Sequence, residues 1–396
     1  MQKRSTLAGG WSIAERMKAI APFYVMEIQR RAIELEASGR DIIHMEIGQP
    51  DFGAPRCVQE AVTRAMSMHS LGYTDALGMR ILREGIARFY RDRFGVTVAA
   101  ERIVVTAGAS GAFLLLCGVL FGRGDEVLLP APGYPCNRHF VAMFDATPVD
   151  LMVEPQTSFQ PTLAAIKAAW HGTTRGIVIA NPANPTGTSM PFDQLGSVAR
   201  FIRSRGGVLI VDEIYQSLSY GPTARTALEL DDEAYVVNSF SKYFGLTGWR
   251  VGWLVVPEAI VPEIERLSQN AFICPSAPAQ HAALAALTPE AIEVFEQRRQ
   301  EFKKRRDFMV PALERIGFKI PAAPDGAFYV YADCSMFCDD SFTFAFDMLE
   351  RAGVAFTPGR DFRGTHPGSF VRFAYTQAMD SLVEGLNRIE QVLKRG

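Results

Sequence analysis

The chain has 396 residues, with 41 Lys and Arg against 43 Asp and Glu, a formal net charge of −2 at pH 7. Hydrophobic residues make up 48% and charged ones 21%, enough apolar material for a sizeable core, which excludes a disordered or collagen-like chain. The balanced charge argues against a nucleic-acid partner, and at about 100–200 residues per domain the length points to two domains. Cys57, Cys117, Cys136, Cys274, Cys334 and Cys338 are too scattered for a disulfide framework. Cys334 and Cys338 could begin a metal site, but no second pair follows at ligand spacing, so reduced thiols and no metal are expected. Met1–Gly10 lacks the apolar run of a secretory signal. The most apolar stretch, Ala107–Gly122, is shorter than the roughly 20 residues that span a bilayer. These features predict a soluble cytoplasmic protein with no membrane partner.

Taken in order, the chain alternates helical periods with short aliphatic runs. Pro22–Ser38 reads as a helix, with Pro22 in its first turn and Gly39 as C-cap. Ile42–Ile47 reads as a strand. Ile103–Thr106 leads into the apolar helix, and Val127–Leu129 into a helix near Cys136–Phe144. Ile177–Ala180 precedes a helix over Phe192–Arg203, whose Phe192, Leu195, Val198, Ala199 and Ile202 keep helical spacing. Val208–Val211, Ala234–Val237 and Val251–Val256 are further strands. Continuous rather than alternating apolar strands between helices indicate an α/β fold with a mostly parallel sheet covered on both faces. After about Pro289 the character changes to a long charged helix, Ala291–Ile316, with a kink expected at Pro311. Short strands such as Ala327–Tyr331 and a closing helix, Ser381–Lys394, follow. The expected division is a tail (1–12), a smaller discontinuous α+β domain (13–45 and 289–396), and a large domain between them (46–288).

Ligand sites in such sheets gather at the carboxyl ends of the strands. Four strands end there in chemically equipped segments: Gly108–Gly111, Asn181–Gly187, Asp212–Tyr215 and Ser239–Lys242. Gly108–Gly111 opens a helix, where free amides and the helix dipole favour an anion. Asp212 follows aliphatic residues, so its carboxylate needs a cation or donor as partner. Lys242 is a candidate for a desolvated amine of lowered pKa, able to form a Schiff base. Taken singly, each has a plain structural reading as turn, cap or surface cation. Together with Arg250, they match the needs of pyridoxal phosphate.

Through NPANPTG (Asn181–Gly187), DEIY (Asp212–Tyr215) and SFSKYFGLTGWR (Ser239–Arg250), the chain resembles the class I/II, aspartate aminotransferase-like enzymes that depend on pyridoxal 5'-phosphate. The likeness runs from about Ile13 through Gly48-Gln49-Pro50-Asp51-Phe52 to Arg372-Phe373-Ala374. It implies the type I fold of that family and a transferase of nitrogenous groups acting in amino acid metabolism. It also implies that Lys242 holds the internal aldimine and moves the Cα proton, while Asp212 pairs with the pyridine nitrogen. Asn184 and Tyr215 would hydrogen-bond the ring's phenolic oxygen, and Tyr134 would stack on the ring. Ala109, Ser110, Ser239, Ser241 and Arg250 would hold the phosphate, joined by Tyr73 from the partner subunit of a homodimer. Arg372 would clamp the substrate α-carboxylate with Gly48 and Asn184 nearby, and Ile13 and Phe328 would line the substrate pocket.

The resemblance leaves the substrate side chain open. One aspartate subgroup places an arginine before a Pro-Pro-Ala-like turn, whereas Gln269–Cys274 here contains none. The expected reaction is ping-pong transfer between an amino acid and a 2-oxo acid. A β-eliminating lyase or a cyclising synthase could use the same Lys242, Asp212 and Arg372. A non-catalytic ligand sensor would need a DNA-binding module, for which the segment before Ile13 is too short.

Overall fold

The computed structural model describes residues 11–68, 70–221 and 224–395; the first ten residues, expected as part of the tail, lie outside them. The chain begins with α1 (Tyr24–Ala37), β1 (Ile43–His44), α2 (Arg56–Met68) and α3 (Arg80–Phe94). It continues through β2 (Ile103–Thr106), α4 (Gly108–Leu120), β3 (Glu126–Ala131), α5 (Cys136–Met143), β4 (Thr147–Met152) and α6 (Leu163–Ala169). Next come β5 (Thr174–Ala180), α7 (Phe192–Ser204), β6 (Val208–Asp212), β7 (Tyr235–Ser239) and β8 (Gly252–Val255). The last part holds α8 (Val261–Ala271), α9 (Ala277–Ala286), α10 (Pro289–Ile316), β9 (Tyr329–Asp333) and α11 (Ser341–Ala352). It closes with β10 (Val354–Ala355), β11 (Thr357–Pro358), β12 (Phe370–Ala374) and α12 (Met379–Arg395).

Seven strands form the main sheet, in the order β2-β8-β7-β6-β5-β3-β4. All neighbours are parallel except β8, which runs antiparallel to both β7 and β2. The strands are buried along most of their length, with Val104, Ile177, Ile210, Val236 and Leu254 all wholly or almost wholly inaccessible. Burial on both faces explains the continuous aliphatic runs. The direction of β8 corrects nothing in the sheet's class but fixes its working edge. Thr106 and Ser239, at strand ends, both pair with Gly252, at the start of β8. The loop that enters β8, with Arg250, therefore lies at the same edge as Asp212 and Ser239.

The expected strand Ile42–Ile47 is only two residues long, because its partner β10 is equally short and the chain then turns toward the cavity edge. β9, β11 and β12 make a small antiparallel sheet in the order β11-β12-β9. Helix α10 starts two residues before the expected Ala291. Thr288 accepts the Ala291 N–H as N-cap and Pro289 takes the first helical position, where its missing N–H costs no bond. The helix continues through Pro311 to Gly317, which closes it at φ 116°. Among the described residues, no helix is long and apolar enough to cross a membrane.

Candidate active site

A cavity of about 240 Å³ opens at the carboxyl edge of the main sheet. Of the residues singled out in the sequence, it is lined by Gly48, Ala109, Ser110, Tyr134, Asn184, Asp212, Tyr215, Ser239, Ser241, Lys242, Arg250 and Arg372. They come from seven separate segments: five follow strands of the main sheet that point the same way, while Gly48 comes from the chain after β1 and Arg372 from β12.

The first corner is an anion cradle. Gly108 opens α4 at φ 69°, and a Cβ there would lie 2.6 Å from an Arg250 terminal nitrogen, so only glycine allows the approach. Arg250 itself sits at φ 53°. Its Nη1 donates to Thr247 O at 3.0 Å and reaches Ser241 Oγ at 3.5 Å, and Ser239 Oγ donates to Ser241 Oγ at 3.0 Å. No carboxylate among the described residues lies within 4 Å of Arg250. A guanidinium, two hydroxyls and the first amides of a 13-residue helix converge with no protein anion to match them.

At the centre, Lys242 is half-buried in the cavity wall and donates from Nζ to Gly48 O at 2.7 Å. Burial, with Arg372 and Arg250 adding repulsion, brings its amine down to about 8, although Asp212 acts in the opposite sense. Asp212 is buried at the end of β6 and accepts the Ile214 N–H at 3.1 Å. Burial raises its carboxyl to about 7, against the pull of that N–H and of Lys242. The next residue, Glu213, points away from the cavity and binds the Ala227 N–H and the Thr226 hydroxyl, which anchors the turn after β6.

The third corner is built on Arg372. Its Nη1 donates to Asn184 Oδ1 at 2.8 Å, and its Nη2 donates to Glu46 O at 2.5 Å and Thr357 Oγ1 at 3.0 Å. The guanidinium carbon lies 4.3 Å from the Tyr329 ring centre and 4.9 Å from that of Phe362. Nε is buried without a partner, and no carboxylate among the described residues lies within 4 Å. This is a cation held by neutral acceptors and rings. Burying one is costly unless an anion joins it.

Two expected lining residues are not in the cavity wall. Phe328 is fully buried, and Tyr329 lines the cavity instead. Strand pairing gives the reason: Tyr331 faces Arg372 and Tyr329 faces Ala374, so Tyr329 shares the Arg372 side of the small sheet and Phe328 takes the other. Tyr329 shares a hydroxyl–hydroxyl bond of 2.8 Å with Tyr215, and a Cβ at Gly48 would fall 1.7 Å from its oxygen. Ile13 does not line the cavity either; Phe23, Val25 and Met26, at the start of α1, do. Tyr73 is 85% exposed and does not line this cavity. The sequence reading missed Glu46, Thr357 and Tyr329. Only Tyr329 had a signal, as an aromatic beside Phe328.

The family model for class I and II aminotransferases matches residues 40–389. The chain belongs to this family. A valine–pyruvate aminotransferase of Mycobacterium tuberculosis is 41% identical over 372 residues, 93% of this chain and 96% of that protein. A solved aminotransferase structure from Mycobacterium tuberculosis superposes with a TM-score of 0.93 at 40% identity, covering 97% of this chain and 99% of that one. An aspartate aminotransferase from Thermus thermophilus, solved with maleate, gives a TM-score of 0.91 at 30% identity, covering 96% and 100%. The aminotransferase therefore has the type I fold of pyridoxal-phosphate enzymes, and pyridoxal phosphate is its cofactor.

Proposed function

We propose that the aminotransferase carries its cofactor on Lys242 and moves an amino group between an L-amino acid and a 2-oxo acid in two half-reactions. The observation that carries this reading is the half-buried Lys242 amine, bonded to Gly48 O and with no carboxylate ion pair among the described residues, in one cavity with Arg250, Arg372 and Asp212. The residues present suit the cofactor. The Gly108–Ser110 turn, Ser239, Ser241 and Arg250 hold its phosphate. Asp212 keeps a proton on the ring nitrogen, Asn184 and Tyr215 donate to the phenolic oxygen, and Tyr134 stacks on the ring. When bound, pyridoxal phosphate supplies the electron sink that acidifies the substrate Cα–H. Arg372 grips the substrate α-carboxylate, gaining the anion its surroundings lack, with Gly48 and Asn184 beside it. Lys242 Nζ, released by the incoming amine, takes the proton from Cα; an amine of lowered pKa is suited to that exchange.

The active unit in this reading is a cytoplasmic homodimer. Tyr73, exposed with Met66 and Met68 near it in the chain, completes the phosphate site of the partner subunit. Residues 46–288 form the cofactor domain, and 13–45 with 289–396 the smaller one. The pairing of β1 with β10 supports that division.

The purified protein is expected to be yellow, with an absorption band that Lys242→Ala removes. A colourless protein that takes up no pyridoxal phosphate overturns the reading. Products decide between transfer and elimination: transfer yields the matching 2-oxo acid, whereas elimination releases ammonia.

A further inference from the structure

The cavity has three cations lining it: Lys242, Arg250 and Arg372. On the reading above, on which this inference rests, the cofactor takes the first two and the substrate α-carboxylate takes the third. Among the described residues, none is left for a second carboxylate. The remaining positive feature is the N-terminal end of α1, a 14-residue helix whose first residues reach the cavity. Asp361 has closed it. Tyr24 N donates to Asp361 Oδ1 and Val25 N to Asp361 Oδ2, both at 2.8 Å, across more than three hundred residues of sequence. Asp361 is 6% exposed. Around this capped end the wall is apolar, made by Phe23, Val25, Met26 and Ile47. The nearby Glu46 carboxylate, wholly buried, is already paired with His44.

We propose that the aminotransferase takes amino acids and 2-oxo acids bearing one carboxylate and an uncharged, apolar side chain, and that Asp361 is the positioning residue enforcing this. A second carboxylate entering this wall loses its water and meets the Asp361 charge with no unpaired cation in reach among the described residues. An aliphatic side chain meets Val25, Met26 and Ile47 and gains by burial.

The test offers valine, leucine, aspartate, glutamate and ornithine singly to the holoenzyme without an acceptor, following the decay of its absorption band. Calorimetry on the same holoenzyme compares the non-reacting acids isovalerate and succinate. Valine or leucine is expected to exceed aspartate and glutamate by about 100-fold in kcat/KM, and isovalerate to bind more tightly than succinate. Asp361→Asn withdraws the charge on the helix end. Met26→Arg, at a half-exposed position, adds a cation to the wall. Either variant should raise the glutamate-to-valine ratio by about 10-fold, mainly through KM for glutamate. Aspartate, glutamate or ornithine reacting as well as valine in the wild type overturns the proposal and leaves the transaminase reading standing. If no amino acid reacts, the transaminase reading fails and calorimetry alone decides, equal or tighter succinate binding overturning the proposal.

Discussion

Lys242 is a base only when its proton has gone, and its neighbours set when that happens. The two arginines disfavour the ammonium form and Asp212 favours it, while burial dominates and brings the amine to about 8. Cofactor uptake by the apoprotein should therefore quicken as pH rises through about 8. Arg372→Leu removes a repelling cation and should move the midpoint up by about 1 pH unit, whereas Asp212→Asn removes an attracting anion and should move it down. Rapid-mixing measurements of uptake against pH check both signs; a midpoint that stays fixed in both variants would refute this account. Gly108 gives a second test at this scale. Gly108→Ala puts a Cβ 2.6 Å from Arg250 in a backbone conformation at φ 69° that alanine rarely adopts. Retention of cofactor on dialysis should fall by about 10-fold or more through displacement of Arg250, with cofactor-free stability lowered by about 1 kcal/mol.

At the scale of elements, β1 and α1 are tied to the cavity by charge. His44 on β1 donates from Nδ1 to the buried Glu46 at 2.7 Å and lies 3.2 Å from Glu36 on α1. The Glu46 hydrogen bond is the main reason its imidazole rises to about 9 from an ordinary 6.5. A group whose pKa is raised on folding stabilises the protein fully below its unfolded value and loses that stabilisation as pH climbs through the folded one. The wild type should therefore outlast His44→Gln by about 1–2 kcal/mol at pH 6, discounted for partial exposure, and the gap should close between pH 6.5 and about 9. Denaturant titrations at pH 6 and 9.5 measure it; a gap that persists at pH 9.5 rules the ion pair out as its cause. Long elements were legible because their periods are long: α1, α7 and α10 follow their apolar spacing, and the central strands their aliphatic runs. The two-residue strands β1, β10 and β11 carry no period to read. The direction of β8 was equally hidden, because Val251–Val256 looks like its parallel neighbours in composition.

The whole molecule is expected to work as a pair of chains. Tyr73, at 85% exposure, is free to reach a neighbouring subunit. Mixing Tyr73→Phe with Lys242→Ala subunits should restore part of the activity through hybrid sites in which one cavity is intact. No recovery in hybrids verified by mass would count against the shared site. The cofactor should also hold the fold together: at a free concentration a thousand times its Kd, it adds about 4 kcal/mol to the stability of the native state. By itself, the sequence pointed to the cofactor through the strand endings that carry Lys242, Asp212 and Arg250 and through the likeness of its motifs, Asn184 included, to the family's; those strand ends meet at one edge. Tertiary structure decided which aromatic faces Arg372, which cations lack an anion, and that Asp361 closes α1. Strand parity, charge compensation and helix capping depend on residues far apart in the chain, and no local pattern records them.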